Sequence, residues 1–216
     1  MTFFKNTYNQ LSTISWPAAY LLIVNLVPIF GVAFFDWSLY QILLAYWLEN
    51  IVIGFYAILK IAKASGGFMF SPGSGQSGNL FKLFIIPFFI VHFGGFTLGH
   101  GLFIYALFGP NGFFPSTAIT IAPLLIIFGL FMVSHGVSFW QNYIKNEEFR
   151  QVSPLEMMHA PYSRIIVMHL TVMGGAFAFS FLGLNSLSRV IIILIKTYFD
   201  YKLHLRQHRK LGLNII

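Results

Sequence analysis

Six long apolar runs, none of them alternating, occupy most of this chain and leave few folds open to it. In lipid every backbone N–H and C=O has to be satisfied within its own segment or by a closed ring of neighbours, so a spanning structure is either a helix or a barrel. Barrel strands alternate apolar and polar residues over about ten positions, and these runs do not. The expected fold is therefore all-α, a polytopic integral membrane bundle of six transmembrane helices. The spans are read as about 16–35, 38–62, 81–108, 118–144, 161–182 and 187–201, the last being short. One transmembrane domain over residues 1–216 is a simpler division than two small domains.

Charge placement orients the bundle. Only 9% of residues are charged, against about 25% in a soluble domain, and the basic ones gather at the ends of the runs. Under six spans, Lys5, Lys60, Lys63, Lys82, Lys145, Arg150, Lys202, Arg206, Arg209 and Lys210 share one side. The other side holds Asp36, the turn at 109–115 and Arg189. The positive-inside rule then makes both termini cytoplasmic. The net charge of +7 is accounted for by topology and anionic lipid, so nucleic acid is not an expected partner. Residues 1–16 lack the apolar core of a cleavable signal peptide. The expected location is the prokaryotic cytoplasmic (inner) membrane, multi-pass. Residues 64–80 are rich in Gly and Ser and read as a cytoplasmic loop.

Glu49, His92, His135 and His169 each fall inside a different run. An ionisable residue within a span marks a functional site by default, because its burial needs a partner. At about 1.5 Å per residue all four lie roughly 12–20 Å from the cytoplasmic face, and His100 lies about two turns further out. Ser134, His135, Ser138, Gln141 and Asn142 form one stripe at helical spacing, and Tyr46, Glu49, Asn50 and Gly54 form another. His92, Gly95 and Gly99 share a third face, and each of these faces is expected to turn away from lipid.

Imidazole and carboxylate are the usual ligands of zinc, and they also suit iron or manganese. The expectation is a divalent-metal site of Glu49, His92, His135 and His169, with His100 as an outer associate. Glu49 would act as ligand or general base on a metal-bound water. The absence of cysteine excludes thiolate ligation. For any one histidine the plain alternative is a hydrogen bond bridging two helices. His204 and His208 are four residues apart but sit in a basic tail, where a solvated pair is the simpler reading.

YWLENIVIGFYAILK from Tyr46 and KLFIIPFFIVHFGGFTLGHGLF from Lys82 resemble segments of the bacterial and archaeal membrane proteins of DUF6498. NLVPIFGVAFFDWS at Asn25 and PYSRIIVMHL at Pro161 are similar to other segments of that family. The resemblance implies a multi-span membrane protein and carries no activity with it.

Three function classes follow. The first is a metal-dependent intramembrane hydrolase acting on a lipid or membrane peptide, with Arg164 placed to receive an anionic or carbonyl group. The second is a proton-coupled or metal-ion transporter, for which six spans imply a homodimer. The third is a structural membrane protein whose buried His and Glu only bridge helices. A bis-His haem lacks any specifying spacing, and the paired glutamates of CAAX-type peptidases are missing.

Overall fold

The computed structural model describes residues 28–66, 75–115, 121–182, 189–190, 192–194 and 196–199. Among these residues the chain is all helical, with no strand. The principal helices are α1 (Leu39–Lys63), α2 (Gly75–Phe108), α3 (Ile121–Ser138), α4 (Pro154–His159) and α5 (Tyr162–Leu182). Helical turns also cover 28–35 and the described part of 189–199.

Local chemistry sets the ends of α1. Ser38 accepts from the Gln41 N–H at 3.3 Å while the Gln41 side chain takes the Ser38 N–H at 3.2 Å, a reciprocal capping box. Lys60 and Lys63 lie in the last turn, where cations suit the negative end of the helix dipole. Before α1 the turns at 28–35 stop at Asp36, whose φ of 46° is left-handed. The Trp37 N–H then returns to the Gly31 carbonyl at 3.0 Å, closing the turn that ends this segment through the left-handed Asp36. A Cβ on Gly31 would stand within 3 Å of the Trp37 ring, so this closure requires glycine.

The described helices alternate in direction. At one end the Lys82 ammonium donates to the Ala62 carbonyl at 3.0 Å, and the Tyr143 hydroxyl donates to the Lys60 carbonyl at 2.7 Å. Ser65 and Gly66 donate backbone bonds there to Phe149 and Val152. At the other end Arg189 pairs with Asp36 at 2.9 Å and donates to the Trp37 carbonyl at 2.6 Å. Gly175 of α5 reaches Leu39, Leu43 and Phe108 at that same end. Two apolar clusters fill the interior, one around Ile42, Leu43, Ile104, Phe131 and Met168, the other around Ile61, Phe89, Phe93 and Tyr143.

Three helices are long and apolar enough to cross a membrane: Leu39–Lys63, Phe81–Phe108 and Ile121–Lys145. That makes a membrane protein, with three such helices among the described residues and not six. The run 16–35 lies largely outside the described residues and 187–201 partly so. Tyr162–Leu182 is a 21-residue helix at the expected place. Of the three spans, α1 has 50% of its span buried in protein and the other two 22% each, which makes α1 the central helix.

Two local expectations are corrected. Residues 75–80, read as loop, are the first turns of α2. The chain after Ser138 widens into a π-helix, Phe139–Lys145, and π-turns carry more residues per turn than the α-spacing behind the polar stripe. Gln141 is therefore exposed, while Asn142 donates back to the Ser138 hydroxyl at 3.3 Å. The widened turn accompanies Tyr143 into the core, where it stacks on Phe139.

Candidate functional site

Glu49 lies midway along α1 on the face it shares with Tyr46 and Asn50, and all three side chains are buried. Its Oε2 is held by the ammonium of Lys196, from the helical segment after Arg189. Both members are almost fully enclosed, Glu49 at 3% exposure and Lys196 at 5%. The Lys196 ammonium also stands 4.1 Å from the centre of the Tyr46 ring, an attraction that strengthens once water is gone. On the other side, Glu49 Oε1 makes no hydrogen bond among the described residues and faces His135 Nε2 at 3.9 Å. The His135 ring stacks on Tyr56, whose hydroxyl donates to the Met132 carbonyl at 2.9 Å and fixes the α1–α3 contact.

The carboxylate forms one wall of a small recess, about the size of a water molecule, between α1, α5 and the Lys196 segment. Tyr46, Asn50, Arg164 and Lys196 line it together with apolar side chains of α1 and α5. Arg164 is buried at this recess. The arrangement joins one carboxylate, two basic side chains and an imidazole inside a membrane-spanning bundle. It can hold the acid ionised against Lys196, or pass a proton to it through His135.

The four expected ligands do not share one centre. Glu49 and His135 approach each other, but His92 and His169 lie elsewhere. His92 is exposed, sits between Phe88 and Phe96, and has its Nδ1 2.7 Å from the Tyr162 hydroxyl. His169 is also exposed and meets His100, Nδ1 to Nε2, at 3.3 Å. The residues therefore fall into three places: Glu49–His135–Lys196, His92–Tyr162 and His100–His169. Among the described residues no group of three or more His, Asp or Glu stands close enough to hold a metal ion. Similar depth along the helices does not fix azimuth, which is why these side chains part. Of the α2 face bearing His92, Gly95 and Gly99, expected to turn inward, His92 and Gly95 are exposed and Gly99 is half-buried.

Lys196 is the partner the sequence reading missed. It stands alone within the apolar stretch 190–199, so the intramembrane-charge rule that singled out Glu49 applied to it equally. Asp36 and Arg189, expected on one side of the bundle, form an ion pair there at 2.9 Å. His204 and His208 lie outside the described residues.

The chain belongs to DUF6498, a family of unknown function, whose family model matches residues 7–213. Comparison with curated proteins and with solved structures gives no match.

Proposed function

Within that family, we propose that the chain is a proton-coupled membrane transporter whose proton is exchanged at Glu49. The observation that carries this reading is one buried carboxylate with two basic partners, Lys196 on one oxygen and His135 near the other. Charged groups inside spans mark ion paths and proton relays. With Glu49 ionised, Lys196 ties its helical segment to the central helix. A proton arriving from the His135 side neutralises Glu49, weakens the hold on Lys196 and frees that segment to shift against α1. The recess on the far side of the pair from His135 has room for about one water against the carboxylate, Arg164 and Lys196. A cation already seated on Glu49 favours proton exchange there over ligation of a second cation, so the metal-dependent hydrolase is the less supported reading.

The accompanying architecture is one transmembrane domain of six spans, with both termini on the cytoplasmic side of a prokaryotic inner membrane. The alternating directions of the described helices support it. So does the separation of Lys60, Lys63 and Lys82 at one end from Asp36 and Arg189 at the other.

Proteoliposomes carrying an internal pH dye test the function, with Zn²⁺, Mn²⁺ or Fe²⁺ added outside as probes. Protein-dependent proton movement that is driven by one of these ions and lost in folded Glu49→Gln is the expected result. Vesicles that stay proton-tight under every gradient and ion would contradict it.

A further inference from the structure

Polar side chains occupy only one half of the span Ile121–Lys145. Residues 121–133 carry no hydroxyl, amide or ionisable group, whereas Ser134, His135, Ser138, Gln141 and Asn142 follow closely after them. That half runs toward the end of the bundle marked by Lys60, since the Tyr143 hydroxyl donates to the Lys60 carbonyl. At its inner limit His135 Nε2 faces Glu49 Oε1 at 3.9 Å. Tyr56 steadies that ring by stacking on it, and its own hydroxyl lies 2.7 Å from where a Gly136 Cβ would stand. Ser138, three residues on, shares the His135 face, with about 5–6 Å between Cβ atoms. Its hydroxyl accepts from the Asn142 amide at 3.3 Å. Both are half-buried, while Gln141 and Lys145 nearby are exposed.

We infer that His135, Ser138 and Asn142 form the path by which Glu49 exchanges its proton with water at the Lys60 end. This rests on the proton-exchange reading above and adds to it a route and a side. An apolar wall relays no proton, so along this helix the direction past Ser138 is open and the direction past Val133 is closed. A water spanning the gap from Ser138 to the imidazole completes the path, and the His135 side chain keeps the 17% exposure that such a contact requires. The change from α to π winding begins directly after Ser138, and π-turns recur at functional sites. A proton from water binds His135 Nδ1, and Nε2 gives its own proton to Glu49 Oε1. The imidazole ends neutral with its proton moved to Nδ1, Glu49 ends as the neutral acid, and Lys196 keeps its charge. The reverse transfers restore both groups. The 3.9 Å separation is about 1 Å beyond a hydrogen bond, so the ring has to close on the carboxylate for each transfer.

Single cysteines in the lipid-reconstituted full chain test the route, because the sequence has none. Methanethiosulfonates react with the thiolate, which forms where water reaches the side chain. Ser138→Cys should react with an impermeant methanethiosulfonate from the side that labels Ser65→Cys. It should do so about tenfold faster than Val137→Cys, its exposed apolar neighbour. The second readout is the infrared band of protonated Glu49, identified by its loss in Glu49→Gln. After a pH jump on that side the band should rise about tenfold more slowly in Asn142→Leu and reach the same final amplitude. Asn142→Gln should restore the rate, and Thr171→Val on α5 should leave it unchanged. Ser138→Cys, a nearly isosteric change, covers the case of an Asn142→Leu that fails to fold. An inert Ser138→Cys, or an Asn142→Leu band that rises at the unsubstituted rate, overturns the route and leaves exchange at Glu49 intact. A chain without any Glu49 band overturns that exchange, and the route with it.

Discussion

Removing one member of the Glu49–Lys196 pair strands the other as an ion in a dry interior, which costs about 3–5 kcal/mol. Replacing both with apolar residues of similar volume is often close to neutral. Lys196→Met and Glu49→Leu should therefore each lower the midpoint of thermal unfolding in detergent, while the double variant recovers most of the loss. Additive losses would show that the two side chains do not act as a pair. The His92–Tyr162 contact stands at an exposed position and carries less weight, about 1 kcal/mol for an ordinary hydrogen bond. Glu49 was legible from its place in an apolar run, and so was the need for a compensating partner. Which residue would compensate was not, because azimuth around a helix depends on tertiary packing that spacing within one run cannot report.

Helix contacts turn on a few glycines that face bulky rings. Gly101 of α2 has the Trp47 indole where a Cβ would stand, at 2.8 Å, and that indole N–H donates to the Thr97 carbonyl at 2.7 Å. Gly94, on the same helix, has nothing within 4 Å. Gly101→Val should thus displace Trp47 and cost about 1–3 kcal/mol as overpacking, with a shift in tryptophan fluorescence. Gly94→Ala should leave both stability and fluorescence unchanged. Equal effects at the two positions would refute the α1–α2 contact described. The apolar run located the end of α2 at Phe108 and most of its length, because continuous apolar character reports membrane exposure directly, while the turns at 75–80 were hidden in a Gly- and Ser-rich stretch. It marked the α2 polar face wrongly, because a glycine-rich stripe looks the same whether it meets a neighbour or faces outward. The π-helix after Ser138 was equally invisible, since its register shift follows from Tyr143 packing against α1 and leaves no compositional trace.

Across the whole molecule the alternation of directions is a statement about sidedness. A chain without cysteine allows single reporters to be introduced cleanly. Ser65→Cys and Asn111→Cys, both at exposed positions, should react with an impermeant maleimide from opposite sides of the membrane, Ser65→Cys from the cytoplasm. Labelling of both from one side would break the proposed orientation. The central claim is that Glu49, held by Lys196 and approached by His135, exchanges a proton while the bundle stays folded. Infrared difference spectroscopy of the lipid-reconstituted protein through a pH cycle reads this most directly. A protonated-carboxyl stretch that rises and falls reversibly, and is missing in Glu49→Gln, is the result predicted. A Glu49 that shows no such band until the helices unfold would contradict it.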